Sequence, residues 1–193
     1  MKSLCVFCGS ASGAVPAYGA AARDLGRQLA ARGIALVYGG GRVGLMGQVA
    51  DACLDAGGQV TGIIPRHLHD KEVGHHGLTT LHVVESMHER KALMARLSDG
   101  FLVLPGGIGT LEEFFEIWTW GQLGLHGKPF GVLNIQGYYD GLFSFLDTMT
   151  GQGFLKAAHR AMVRVDEDIH ALLAALAAWR APPQEKWLEP DET

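Results

Sequence analysis

Six short apolar runs, rich in β-branched residues, alternate along this chain with longer stretches whose apolar residues recur at helical spacing. The runs are Leu4 to Phe7, Ile34 to Tyr38, Val60 to Ile64, Thr80 to Val84, Phe101 to Leu104 and Pro129 to Leu133. Parallel neighbours in a sheet need crossover connections, and those are right-handed in nearly every case. Four of the runs are almost continuously apolar, which suits strands covered on both faces. The pattern predicts an α/β fold: a Rossmann-like doubly wound parallel sheet forming a single domain, with Val163 to Val165 as a candidate last strand.

The first helix opens near Pro16, carries Tyr18, Ala22, Leu25 and Leu29 at helical spacing, and stops at Gly33. The second carries Leu45, Val49, Ala52 and Ala56 before Gly57-Gly58. Later helices are expected from about Ser86, Leu111, Tyr138 and Asp166. At 193 residues one core is the natural size, taken here as residues 1–180. From Ala181 onward, APPQEKWLEPDET is rich in proline and charge and reads as a mobile C-terminal tail over 181–193.

A formal charge of −4 and a pI near 6.1 supply no overall basic field to gather nucleic-acid phosphates, so no nucleic-acid partner is expected. The apolar run near the N-terminus is five residues long, Leu4 to Cys8. That is too short for a signal-peptide core or a membrane span, so a cytoplasmic protein without a membrane partner is expected. The three cysteines read as thiols. Cys5 and Cys8 lie on or at the end of a strand, where three-residue spacing sends them to opposite faces.

Two glycine-rich loops each join a strand to a helix. The first is Gly39-Gly40-Gly41-Arg42-Val43-Gly44-Leu45-Met46-Gly47. Its glycines admit close approach of a ligand, and the helix start offers N–H groups to an anion. The letters fit G-x-G-x-x-G, but a dinucleotide site wants a carboxylate about 20 residues on. Here the next strand ends Thr61-Gly62-Ile63-Ile64-Pro65, which argues against NAD. The second loop is Pro105-Gly106-Gly107-Ile108-Gly109-Thr110-Leu111-Glu112-Glu113. It lacks the lysine of a Walker A loop and suits a single phosphate held by backbone N–H groups and the Thr110 hydroxyl. With Cys8-Gly9-Ser10, three loops meet at the carboxyl edge of the sheet, where open α/β folds bind ligands. The alternative use of these glycines is tight strand-to-helix turns.

Several charged residues stand out. On a helical wheel, Arg90 falls in the arc defined by Met87, Met94 and Leu97. A guanidinium there needs an anionic or polar partner, either a ligand or one of the loop glutamates. Lys91 beside it is open between ligand and solvent. Thr110-x-x-Glu113 has the letters of a capping box, and Glu113 is also placed to touch a ribose or a water beside a bound phosphate. Glu112 and Glu116 share one face, expected to point to solvent. The segment His67 to His76 has four histidines at no familiar zinc spacing, so no metal is expected. Glu72 within it is a candidate lid residue over the sheet edge.

Taken together, Cys8-Gly9-Ser10, Tyr38 to Gly41, Gly44-Leu45-Met46-Gly47, Met87-His88-Glu89-Arg90-Lys91 and Pro105 to Glu113 resemble the LOG (Lonely Guy) family, often labelled lysine decarboxylases. The resemblance runs in order from about Ser3 to Trp179, with Ala11 where a second serine is common. It implies hydrolysis of the N-glycosidic bond of a purine nucleoside 5′-monophosphate, without a cofactor, by a homodimer. It further implies Arg90 and Glu113 as the catalytic pair. Glu72, Lys91, Gly107, Ile108, Gly109, Thr110, Leu111, Glu112 and Thr119 match substrate contacts; from the loops themselves, Gly9, Ser10, Gly40, Gly41 and Gly44 join them. Trp118, Trp120 and Leu123 are the interface residues it suggests. Cleaving a glycosidic bond builds positive charge on the ribose, which a carboxylate stabilises; Glu113 is expected in that role. Arg90 is expected to fix phosphate or a ribose hydroxyl.

Overall fold

The structure, a computed structural model, is described over residues 1–69 and 74–181. Its core is one seven-stranded parallel sheet. The strands are β1 (Ser3–Phe7), β2 (Ala35–Tyr38), β3 (Val60–Pro65), β4 (Thr80–Val84), β5 (Phe101–Val103), β6 (Phe130–Leu133) and β7 (Val163–Asp166). Their spatial order is β4-β3-β2-β1-β5-β6-β7, and every pairing is parallel. The order reverses between β1 and β5, so the crevice of an open α/β sheet opens there. The Rossmann-like expectation holds, including the short strand at Val163.

The helices are α1 (Pro16–Ala31), α2 (Gly44–Asp55), α3 (Arg66–Leu68), α4 (Met87–Leu97), α5 (Ile108–Gln122), α6 (Asp140–Gly151), α7 (Ala157–Arg160) and α8 (Ile169–Ala177). Alternate strand residues feed two cores. On one face Leu4, Val6, Leu36 and Tyr38 meet Leu25 and Leu29 of α1, Leu45 and Val49 of α2, and Leu172 and Leu173 of α8. On the other, Cys5, Phe7, Val37 and Ile63 meet Met94 of α4, Phe114 and Trp118 of α5 and Phe143 of α6. Cys5 and Cys8 are buried in opposite cores, as their spacing predicts. Burial pushes the Cys53 thiol up to about 11 and those of Cys5 and Cys8 well above their usual range.

α1 has Pro16 at its start and ends before Gly33, whose φ is 64°, as proline and glycine punctuation predicts. The one-turn helices α3 and α7 are too short to carry a 3.6-residue period and have no counterpart in the sequence reading. Among the described residues no helix is long and apolar enough to cross a membrane. Residues 182–193 of the expected tail lie outside the described residues.

Candidate active site

The ends of β1, β2, β3 and β5 are joined through backbone bonds. Gly9 donates its N–H to the Pro105 carbonyl at 3.1 Å, and its own carbonyl accepts from Leu45 and Met46 at 3.0 and 3.4 Å. Gly44 packs against the Ser10 backbone. The amides at the head of α2 are thus turned to Gly9. The first glycine loop, expected to offer those N–H groups to an anion, uses them to close the sheet edge. Gly40 and Gly41 of the same loop are covered by residues 74 and 75. The His75 amide donates to the Gly40 carbonyl at 2.9 Å, Gly41 and Gly74 form an antiparallel bridge, and the His75 ring pairs with Asp51 at 2.8 Å.

The second glycine loop behaves differently. α5 begins at Ile108 with Gly107 as N-cap and no side-chain cap. Its first intrahelical bond runs from the Leu111 amide to the Gly107 carbonyl at 3.1 Å. The amides of Ile108, Gly109 and Thr110 precede that bond, at the positive end of a fifteen-residue helix. Gly107, Ile108 and Gly109 are exposed, Ile108 at 82%, so an anion can reach this head. Leu111 is partly buried against the apolar core. Thr110 is buried, its hydroxyl pressed on the Gly106 Cα where any Cβ would collide with it. The expected capping box is absent here. A side-chain cap stands instead at Ser86: its Oγ accepts from the Glu89 amide at 3.1 Å, while the Glu89 carboxylate reaches one residue past the cap and accepts from the Glu85 amide at 2.9 Å.

Glu113 is therefore free for another partner. Arg90 Nη1 donates to Glu113 Oε1 at 2.6 Å, and Arg90 Nε donates to the Ile63 carbonyl at 3.1 Å. Arg90 and Glu113 are each 8% exposed. The guanidinium lies where a Cβ on Gly39 would sit, so only glycine at that position lets the arginine in. The loop-glutamate partner weighed for Arg90 is thus present. The arc that suggested its burial is not fully buried, because Met87 and Leu97 are exposed at 38% and 37% while Met94 is covered. Burial pushes the Glu113 carboxyl above its ordinary 4.5, and the Arg90 charge and hydrogen bond pull the other way without cancelling it.

Beside this pair runs a second. Lys91 is buried, with Nζ at 2.5 Å from Glu112 Oε1 and 2.9 Å from Glu116 Oε2. Burial lowers the ammonium, but the bonds and charges of Glu112 and Glu116 outweigh it and leave Lys91 above its ordinary value. Glu112 is exposed as expected and Glu116 only partly so, and both also hold this lysine, because α4 lays Lys91 between them. Two basic side chains of α4 and three acidic ones of α5 thus gather below the α5 head.

Other expected contacts lie apart. Thr119 is exposed, its hydroxyl donating to the Phe115 carbonyl at 2.7 Å. It sits about 9 Å along α5 from Glu113 and roughly a third of a turn away, so the fold does not bring it to the Arg90 pair. Glu72 lies outside the described residues. Trp118 is buried inside the protein, Nε1 donating to the His159 carbonyl. Among the described residues no three His, Cys, Asp or Glu side chains gather into a metal-ligating group. Unforeseen are Tyr138 and Tyr139, which bond the Gly106 and Leu104 carbonyls at 2.7 and 2.8 Å. Aromatic pairs beside a glycine carry no sequence signal for partners more than thirty residues away.

The family model described as "possible lysine decarboxylase" matches residues 46–176. A cytokinin riboside 5′-monophosphate phosphoribohydrolase of Rhodococcoides fascians is 51% identical over 176 residues, covering 91% of this chain and 89% of its own. Another of the same name from Arabidopsis thaliana is 49% identical over 179 residues, covering 93% and 78%. Among solved structures, the molybdenum cofactor carrier protein of Chlamydomonas reinhardtii superposes with a TM-score of 0.68 at 22% identity, covering 91% of this chain and 95% of its own. That last likeness is one of fold.

Proposed function

Since the chain belongs to the LOG family of cytokinin riboside 5′-monophosphate phosphoribohydrolases, the family whose model is described as possible lysine decarboxylase, we propose that Arg90 and Glu113 carry its reaction. The protein is an enzyme that hydrolyses the N-glycosidic bond of a purine riboside 5′-monophosphate to free base and ribose 5-phosphate. The observation that supports this assignment of roles is a buried Arg90–Glu113 pair one turn below an open, uncapped helix head.

The 5′-phosphate docks on the amides of Ile108, Gly109 and Thr110, whose dipoles are fixed before substrate arrives. The ribose then lies over the first turn of α5, near Glu113. As the bond to the base lengthens, positive charge spreads over the ring carbon and oxygen, and the carboxylate stabilises it. As the C1′–N bond breaks, the same carboxylate takes a proton from the water that bonds C1′, and that proton passes to the departing base, leaving Glu113 ionised again. Arg90 orients Glu113 and contacts a ribose hydroxyl or the phosphate. Lys91, held by Glu112 and Glu116, offsets part of their negative charge below the phosphate. A 5′-monophosphate is the expected partner, and no cofactor enters the scheme. Leu123 and Leu125, exposed at 59% and 70% near the end of α5, with partly buried Trp120, support a homodimer built on that end.

Incubation with AMP and with isopentenyladenosine monophosphate, followed by chromatography of the free base, tests the reading. Base and ribose 5-phosphate are expected in equal amounts. Tight binding of both nucleotides with no base released would instead make this a nucleotide carrier.

Glu113 must be ionised to act, so kcat/KM is expected to fall as pH drops through its pKa. Because burial holds that pKa above 4.5, the acid limb of the pH profile should lie higher than an ordinary carboxylate would put it. A limb at or below 4.5 in a pH–rate series would remove Glu113 from the base's role.

A further inference from the structure

Three consecutive carbonyls lead into the head of α5, those of Leu104, Pro105 and Gly106, and each already has a donor. The Tyr139 hydroxyl donates to Leu104 at 2.8 Å, the Gly9 amide to Pro105 at 3.1 Å and the Tyr138 hydroxyl to Gly106 at 2.7 Å. A carbonyl oxygen turned toward an anion repels it, whereas N–H groups attract it. With all three acceptors engaged, the loop cannot swing a carbonyl into the mouth without breaking a hydrogen bond.

Both tyrosines come from the turn after β6, and that turn is built in an unusual way. Gln136 has φ 52° and ψ 36°, left-handed backbone that residues with a side chain rarely adopt. Gly137 follows at φ 69°. Asn134 secures the turn, accepting from the Tyr139 amide and donating to Asp140, both at 2.7 Å. Tyr139 is buried, while Tyr138 remains 43% exposed with its ring edge-on to Tyr18 at 5.5 Å. Uncommon backbone of this kind clusters where a side chain must be aimed.

We propose that Tyr138 is a positioning residue for the phosphate site, its hydroxyl holding the Gly106 carbonyl away from the mouth of α5. This rests on the reading of that helix head as the place where the 5′-phosphate binds. The phosphate is held alike in the bound substrate and in the transition state. Loss of the hydroxyl therefore weakens binding and leaves the chemical step alone.

Tyr138→Phe isolates the hydroxyl, since the ring still packs on Tyr18. Calorimetry with ribose 5-phosphate and steady-state kinetics with AMP would be run on wild type and variant. The expected result is a Kd for ribose 5-phosphate and a KM for AMP each raised about tenfold, the worth of one well-placed hydrogen bond, with kcat unchanged within about twofold. Unchanged affinity for ribose 5-phosphate would overturn the proposal. So would a fall in kcat at constant KM, which marks disturbance of the reacting centre rather than of the phosphate loop. Should wild type release no base while the variant still binds ribose 5-phosphate more weakly, the hydrolase reading falls and the role of Tyr138 stands.

Discussion

Glu113→Gln is expected to lower kcat/KM for AMP by 100-fold or more while the protein stays folded. Removing one preorganised group that meets charge developing in the transition state typically costs about 3 to 4 kcal/mol. The carboxamide keeps the shape and an oxygen for Arg90 Nη1, which now lies 2.6 Å from the carboxylate. What disappears is the negative charge facing the ribose and the ability to take a proton from water. The loss should fall on kcat, because a phosphate bound at the α5 head is anchored independently of Glu113. Base release measured under saturating AMP separates the two. A variant retaining a tenth or more of wild-type kcat would show that the carboxylate is not the group that stabilises the sugar cation.

Arg90→Met should act on stability as well as on rate. Both members of the pair are nearly sealed from water, with side chains 9% and 11% exposed. Taking away one partner leaves a buried charge uncompensated, at a cost of about 3 to 5 kcal/mol, and also strips the Ile63 carbonyl of its donor. The doubly substituted Arg90→Met, Glu113→Leu chain should regain much of this loss, since apolar pairs often replace buried ion pairs at little cost. Urea denaturation of the three proteins gives the comparison. If Arg90→Met alone is as stable as wild type, the charge of Glu113 is being met by solvent. Without its cation Glu113 would hold its proton to higher pH, so residual activity in this variant should show an acid limb above that of wild type.

Most of the fold is readable from the chain because its central strands are buried on both sides and punctuated by glycine. The edge strand β7, covered at Val163 but exposed at Arg164 and Val165, is visible through its β-branched valines. The site is readable at its two poles: the Pro105 to Glu113 loop, and an arginine in an apolar arc. The failures are those of one-helix reasoning. Glu112 is half exposed, as its spacing suggests, but nothing in the spacing of α5 announces that α4 will lay Lys91 between it and the partly buried Glu116. Both Ser86-x-x-Glu89 and Thr110-x-x-Glu113 carry capping-box letters. Only the first caps its helix, through Ser86 Oγ, because Arg90 claims the second glutamate and α5 opens three residues earlier, at Ile108. The first glycine loop has the letters of an anion site, yet two of its helix amides, those of Leu45 and Met46, are bonded to the Gly9 carbonyl. Which way an amide points is decided by the neighbouring loop.

The two backbone groups of Gly9 bear on how the enzyme meets its substrate. With its N–H on the β5 loop and its carbonyl on the α2 head, Gly9 is a cross-link at the reversal of strand order that ties together three loops from distant parts of the chain. Ordering those loops is then an entropy cost met during folding rather than at each encounter. In the proposed scheme, a nucleotide arriving at the α5 head meets loops already tied together through Gly9 and finds little left to rearrange.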